Sequence, residues 1–228
     1  MTLHQVRLSD SRFVERITQV TFTEHSREWT TPDGCWDIVV LGKQGKTIVL
    51  HTGLISRPVL LVNEPGDSYM SISFKPGVFV PQRPGSQMLD RGLLRPLASA
   101  HQFCFEAETL EIPGFENAEG LVERLVRRGR LAYDELVACV AEGRQPAATA
   151  RTLQRHFRTV LGMTPKQFAQ IKRACGAVEL LRGGMAPSAV AAASGYADQP
   201  HLTRALKQLV QRTPAEIARE ARATLPKS

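Results

Sequence analysis

The feature of this 228-residue chain that most restricts its fold is an internal repeat at an offset of 49 residues in its C-terminal part. Each copy has an apolar, helix-periodic segment, a break, and then Thr-Pro, at Thr164-Pro165 and Thr213-Pro214. Threonine caps helix N-termini and proline is tolerated in the first turn, so each copy predicts two successive helices. The other matched pairs are Leu153 with Leu202, Arg155 with Arg204, Phe157 with Leu206, Arg158 with Lys207, Leu161 with Val210, and Phe168 with Ile217.

The first helix of each copy separates an apolar face from a polar one. Arginine and glutamine recognise guanine and adenine edges, and a basic residue one turn later suits a phosphate. On a single helix such a face is more often just solvated, but its duplication favours two adjacent major-groove contacts. The polar residues are Arg151, Gln154, Arg155 and Arg158 in the first copy, and Gln199, Thr203, Arg204 and Lys207 in the second.

Helical periodicity and capping residues extend over the whole C-terminal part. Between the two copies, an Ala-rich segment from Pro187 stops at Gly195, and a helix restarts after Asp198, as in a helix-turn-helix. The predicted helices are Leu131–Glu142, Ala150–Leu161, Pro165–Leu181, Pro187–Ser194, Gln199–Val210 and Pro214–Ala223.

Charge is distributed unevenly along the chain. Residues 143–228 contain 14 Lys and Arg against 4 Asp and Glu, a net charge of +10, whereas residues 1–142 carry −3. A basic C-terminal part favours a polyanionic partner.

The first hundred residues have the short, β-branched segments and Gly/Pro/Asp turns of antiparallel strands. The fold class predicted is α+β, with an N-terminal antiparallel β-barrel-like domain (1–115), a linker helix (116–130) and an all-α domain (131–228). Residues 76–96 are expected to be loops with a short helix around residues 87–94. The predicted strands are Arg12–Thr23, Trp36–Leu41, Thr47–Leu54, Val59–Val62 and Tyr69–Phe74.

The sequence lacks the signals of several other classes of protein. The chain has no apolar run long enough to span a membrane and no signal peptide, so a soluble cytoplasmic protein is expected. Its four dispersed cysteines predict neither a disulfide framework nor a zinc site. Nucleophile-elbow, phosphate-loop and dinucleotide motifs and clustered metal ligands are absent, so no catalytic residue, metal or cofactor is predicted and an enzyme is not expected.

The segments ARTLQRHFRTVLGMTPKQF and ASGYADQPHLTRALKQLVQRTPAEI closely resemble the DNA-binding domain of the AraC/XylS family of bacterial transcription regulators. The resemblance covers roughly residues 131–223 and implies two helix-turn-helix motifs that are joined by a long helix and placed in successive major grooves. It implies base-facing positions at Arg151, Gln154 and Arg155, and at Gln199, Pro200, Thr203 and Arg204. His201, Arg158 and Lys207 are expected to orient a helix or to contact phosphate.

Three positions depart from the family pattern. Gly143 and Pro146 shorten the leading helix of the first motif, which would weaken DNA binding by that motif. Pro200 lacks a hydrogen-bond donor at a base-facing position, and Gln211 replaces the helix-ending glycine that the first copy keeps as Gly162.

The segments Thr31–Ile38 and Ser71–Val78 resemble the cupin-like sensor domain that precedes this DNA-binding domain in one branch of the family. That resemblance implies a small-molecule effector, with Trp36, Phe74 and Phe79 as pocket residues, although core packing also explains them. Promoter or operator DNA is the expected partner, with RNA polymerase and a second copy of the chain as further candidates. A cupin-like enzyme and an interaction protein with a degenerate DNA-binding domain remain alternatives.

Overall fold

The computed structural model describes residues 3–224. Its largest sheet has six antiparallel strands in the order β1-β2-β7-β4-β5-β9, and three smaller sheets pair β10-β11-β12, β13-β8 and β3-β6. The strands are β1 (Leu3–Leu8), β2 (Val14–Thr21), β3 (Ser26–Thr30), β4 (Asp37–Lys43), β5 (Lys46–Thr52), β6 (Val59–Asn63), β7 (Ser68–Phe74), β8 (Val78–Phe79), β9 (Gly92–Arg95), β10 (Leu97–Ser99), β11 (Gln102–Phe105), β12 (Glu108–Glu111) and β13 (Ala132–Tyr133).

The centre of the large sheet is a row of isoleucines on three neighbouring strands. Ile72 of β7 pairs with Ile17 of β2 on one side and with Ile38 of β4 on the other, and all three side chains are fully buried. Trp36 stacks on Phe74 at a centroid distance of 3.9 Å next to this row. These paired isoleucines and the stacked aromatic rings form the core beside the large sheet.

The predicted α+β class with an antiparallel N-terminal sheet is confirmed. Within residues 3–224 the sheets do not close into a barrel, because β1 and β9 are the edges of the six-stranded sheet.

The short helix expected around residues 87–94 was misplaced: it is one turn, Gly85–Met88, and residues 92–95 form β9 instead. Asp90 adopts a left-handed conformation that ends helical backbone there, and Leu94 then pairs with Leu50.

The C-terminal helices follow the predicted segments closely. The expected helix from residue 131 begins only at Glu135, because Ala132 and Tyr133 pair with β8 and Asp134 caps the helix. The helices are α1 (Gly85–Met88), α2 (Ala118–Arg127), α3 (Glu135–Ala141), α4 (Ala150–Leu161), α5 (Pro165–Arg182), α6 (Pro187–Ala193), α7 (Gln199–Val210) and α8 (Pro214–Thr224).

The described chain packs as two compact units. The first contains residues 3–28, 35–54 and 61–165, and the second contains residues 29–34, 55–60 and 166–224. Helix α4 thus packs with the β-rich unit, whereas α5 to α8 form a core of their own around Leu181, Leu202 and Leu206. The functional division at residues 115 and 130 stays a prediction.

Two absences apply to residues 3–224 alone. No helix there combines the length and the apolar character needed to cross a membrane. No three His, Cys, Asp or Glu side chains in that range are grouped so that they could hold a metal ion.

Candidate nucleic-acid interface

Helix α4 presents the polar face predicted for the first copy. The Thr149 hydroxyl accepts a hydrogen bond from the Thr152 N–H at 3.2 Å, and Gly162 ends the helix in the left-handed conformation. Phe157, Val160 and Leu161 are buried. The four predicted DNA-facing side chains are all exposed, on the opposite side of the helix: Arg151, Gln154, Arg155 and Arg158.

Helix α7 repeats this arrangement in the second unit. The Asp198 carboxylate accepts a hydrogen bond from the His201 N–H at 2.6 Å and so caps the helix. Leu202, Leu206 and Val210 are buried. The exposed predicted residues are Gln199, Pro200, Arg204 and Lys207, while His201 and Thr203 are half-buried.

Two of the predicted residues on α7 are engaged within the helix. The Thr203 hydroxyl donates to the Gln199 carbonyl at 2.9 Å, one turn earlier. The His201 ring lies edge-on to Tyr196 at 5.3 Å, and its Nδ1 accepts from the Ala197 N–H at 3.4 Å. These contacts fix the first turn of α7. Of the predicted base-facing residues on this helix, Gln199 and Arg204 are exposed and carry side-chain donors.

Lys207 connects α7 to the start of α8. Its Nζ lies 3.4 Å from Glu216, whose carboxylate also accepts from the N–H of Thr213 at 2.6 Å and from its hydroxyl at 2.8 Å. The Thr213 hydroxyl in turn accepts from the Glu216 N–H at 3.2 Å, which completes a capping box. The Thr213 backbone and hydroxyl, and then Lys207, lower the pKa of Glu216 to about 2.

An arginine on α5 contacts the turn before α7, and this contact was not predicted from the sequence. Arg173 of α5 lies over the Tyr196 ring at 4.4 Å and donates to the Gly195 carbonyl at 3.3 Å. Gly195 has a left-handed φ of 69° at this turn. Because Arg173 is 22 residues from Gly195 in sequence and lies on a different helix, no local pattern indicates this contact.

The two motifs differ in the segment that follows their leading helix. Helices α3 and α6 both have seven residues, so the shortening expected from Gly143 and Pro146 does not distinguish α3 from its counterpart. Eight residues, which include Gly143 and Pro146, separate α3 from α4, whereas five residues separate α6 from α7. The Asp134 carboxylate that caps α3 also lies 2.5 Å from His156 of α4. This side-chain contact links the two helices across the longer loop.

The end of α4 lies against the β-rich part of the same unit. A Cβ atom on Gly162 would overlap the Gly85 carbonyl and lie 2.6 Å from its carbon, and one on Gly85 would lie 2.5 Å from the Gly162 nitrogen. The two backbones therefore approach at a distance that only glycine permits on both sides.

A cavity of about 20 Å³ lies beside this contact, which is room for about one water molecule. Two of the three predicted effector residues, Trp36 and Phe79, line it together with Val160 and Leu161 of α4. The third, Phe74, is fully buried and stacked on Trp36.

The polar lining of the cavity includes His51 and Arg83, which both contact a buried Arg95–Glu106 ion pair. Arg95 Nη2 donates to His51 Nδ1 at 2.6 Å and to Glu106 at 2.7 Å, and Arg83 also binds Glu106 at 2.6 Å. Burial, reinforced by the charge of Arg95, lowers the pKa of His51 to about 3, so this imidazole is neutral at neutral pH. Sequence reasoning missed this cluster because its members are scattered over four segments.

Two amphipathic helices, each preceded by a short helix and each exposing arginine and glutamine, define a DNA-binding protein of the helix-turn-helix class. Residues 144–220 match the family described as a helix-turn-helix domain, a match that covers α4 to α7 and most of α8. Residues 144–220 thus carry an AraC-type helix-turn-helix domain, which supports a role in DNA binding and transcription regulation.

Three solved structures of ToxT from Vibrio cholerae are similar to the chain over most of its length. An apo variant has 10% identity and a TM-score of 0.47, and covers 93% of this chain and 98% of its own. A complex with (E)-4-(8-methylnaphthalen-1-yl)but-3-enoic acid has 7% identity and a TM-score of 0.45, with 97% and 98% covered. A third structure has 9% identity and a TM-score of 0.39, with 97% of each chain covered. No curated protein matches the chain in sequence.

Proposed function

We propose that this regulator recognises a specific operator through α4 and α7, placed in successive major grooves. The observation that carries this proposal is the duplicated exposed face: Arg155 and Arg204, 49 residues apart, occupy equivalent exposed positions on helices with equivalent buried faces. A solvated surface gives no reason for the same spacing of arginine to occur twice. Binding to adjacent major grooves does give a reason, because the groove repeats about every 10 base pairs and each repeat can be read by the same arrangement of side chains.

The side chains divide into base-reading and phosphate-binding groups. Arg151, Gln154 and Arg155 on α4, and Gln199 and Arg204 on α7, carry the donors that suit purine edges. Arg158 and Lys207 lie a turn further along and suit phosphate. His201 orients α7 through Tyr196, while Pro200 and Thr203 contribute apolar contact with bases, since proline has no donor and the Thr203 hydroxyl is already engaged.

We further propose that a small effector acts through the cavity beside Trp36 and Phe79. The cavity has room for about one water, so a larger ligand must displace part of its lining. Val160 and Leu161 belong to that lining and to the DNA-facing helix α4. Binding would thus change the position of α4 and, with it, the affinity of the first motif for DNA.

This role also sets the remaining expectations. A regulator of bacterial promoters acts in the cytoplasm, with duplex DNA as its principal partner. Contact with RNA polymerase and pairing with a second copy of the chain are the further partners that such a role would use. No step of this function requires catalysis by the protein.

The test is to replace Arg204 by alanine and to measure binding to a duplex selected by the protein from genomic fragments. We expect a loss of about 1–3 kcal/mol on the selected duplex and a much smaller loss on a scrambled duplex, because a bidentate base contact is sequence-dependent. The matched control is Arg182→Ala, which removes one exposed charge at the end of α5. Equal losses on the two duplexes for Arg204→Ala would refute the role in base reading.

A further inference from the structure

A second, much larger cavity lies between β12 and α2 in the β-rich unit, away from the residues assigned above. Its volume is about 530 Å³, within the range of roughly 300–1,000 Å³ that is typical of small-molecule sites. The lining consists of Glu108, Thr109, Leu110, Arg124, Arg127 and Arg128.

The charge of this cavity is strongly positive. Arg124, Arg127 and Arg128 are exposed, and within residues 3–224 none of them forms an ion pair with a carboxylate. The acidic residue of the lining, Glu108, is already bound by Arg130, whose Nη2 lies 2.9 Å and whose Nε lies 3.3 Å from its carboxylate. Within the described residues, three arginines therefore line the cavity without a carboxylate partner of their own.

Helix geometry brings these arginines together. Arg124 and Arg127 belong to α2 and Arg128 is its C-cap residue, and their spacing of i, i+3 and i+4 places them on one side of the end of the helix. Like charges at this spacing repel each other. Basic side chains are favourable at the negative C-terminal end of a helix, and this effect explains one or two arginines there. It does not explain why three arginines surround a concave space. Bound negative charge would relieve the repulsion.

The rest of the lining suits a compact ligand. Leu110 is 1% exposed and gives the cavity an apolar floor, and Thr109 is exposed and adds a hydroxyl. Guanidinium groups bind carboxylate and phosphate oxygens in bidentate fashion. A concave space of this size fits a small molecule better than the backbone of a DNA duplex.

We infer that the cavity between β12 and α2 binds a small molecule with at least two clustered negative charges, either phosphates or carboxylates. This site is separate from the effector cavity beside Trp36 and does not depend on the DNA-binding proposal.

The experiment is isothermal titration of the full chain with inorganic pyrophosphate and, separately, with citrate, which distinguishes phosphate from carboxylate as the preferred anion. The site variant combines Arg124→Gln, Arg127→Gln and Arg128→Gln. The control variant combines Arg57→Gln, Arg144→Gln and Arg182→Gln, which removes the same charge from exposed positions elsewhere.

We expect at least one probe to bind the unmodified chain, and its affinity to fall by about tenfold or more in the site variant, because charge-assisted hydrogen bonds are lost. The control variant should stay within about twofold of the unmodified chain. Equal weakening in both variants would mean general charge attraction and would overturn the inference, as would the absence of binding by either probe.

DNA binding by the same variants separates this inference from the proposed function. Both variants should keep the same affinity for the selected duplex. If neither anion binds and the site variant alone loses DNA affinity, the arginines contact DNA phosphates, and the small-molecule site is refuted while the regulator proposal stands.

Discussion

Replacing Gly162 by alanine tests whether α4 is anchored on the β-rich part of the chain. The residue has a φ of 75°, so alanine pays about 1–2 kcal/mol for the left-handed conformation, partly offset by a loss of freedom in the unfolded chain. Its Cβ would also overlap the Gly85 carbonyl and lie 3.0 Å from the Leu89 Cβ. Because the Gly85 carbonyl is a backbone group that cannot rotate out of the way, this overlap destabilises the folded chain further by about 1–3 kcal/mol, as overpacking typically does.

Gly143 is the matched control for this substitution. It also has a positive φ, of 77°, and follows a helix, but a Cβ there would meet nothing within 4 Å. Gly143→Ala should therefore cost only the backbone contribution. The difference between the two variants, about 1–3 kcal/mol, isolates the approach of α4 to α1.

The assay is urea unfolding followed by tryptophan fluorescence, which includes the buried Trp36 beside the same contact. Gly162→Ala should shift the midpoint to clearly lower urea than Gly143→Ala does. If the two variants lose the same free energy of unfolding within about 0.5 kcal/mol, the close approach contributes nothing, and the link between the effector cavity and α4 is wrong.

Three further predictions concern single side chains. Gln211→Gly should stabilise the chain by about 0.5–1 kcal/mol in urea unfolding, because Gln211 ends α7 with a left-handed φ of 57°; a loss of stability would contradict this. Hydrogen bonding from Arg7 lowers the pKa of Glu119 from about 4.5 to about 2, so its stabilising effect is present above pH 4.5 and is lost as the pH falls toward 2. Glu119→Gln should accordingly cost about 1–2 kcal/mol at pH 6 and little at pH 2, and a pH-independent cost would rule out the ion pair as the cause. Arg173→Gln should cost about 1–2 kcal/mol and speed amide hydrogen exchange in the turn around Tyr196, since it removes the cation–π contact and the bond to that turn; unchanged exchange would mean that Arg173 does not hold the turn.

The helical part could be predicted almost residue by residue because its signals are local. Thr149, Asp198 and Thr213 cap helices through their own next turn, and a 3.6-residue period fixes the buried face of α4 and α7. These signals need no knowledge of the rest of the chain.

The strands between residues 92 and 111 and the buried cluster around Arg95 were not predictable in the same way. Phe103 and Phe105 are fully buried, but their segment is short, and its neighbours pair across a tight turn where Glu106 and Ala107 are left-handed. His51 and Arg95 meet 44 residues apart. Contacts of this kind depend on strand pairing, which short alternating patterns leave open.

The same limit applies to the candidate site. The exposed faces of α4 and α7 follow from helical periodicity alone, so Arg151 and Arg204 could be named in advance as exposed candidates for DNA contact. The packing of α4 with the β-rich unit could not be predicted in this way, because nothing in the sequence around Gly85 and Gly162 indicates that their backbones meet. Glycine after a helix is equally well explained as a C-cap.

The central claim is that two equivalent helices read one operator. The most direct measurement is to select genomic fragments with the purified full chain at physiological salt and to derive the sequence motif they share. We expect two short conserved blocks about 10 base pairs apart, with the block assigned to α7 lost in Arg204→Ala and the other lost in Arg155→Ala. A single block, or no enrichment over random fragments, would contradict that claim.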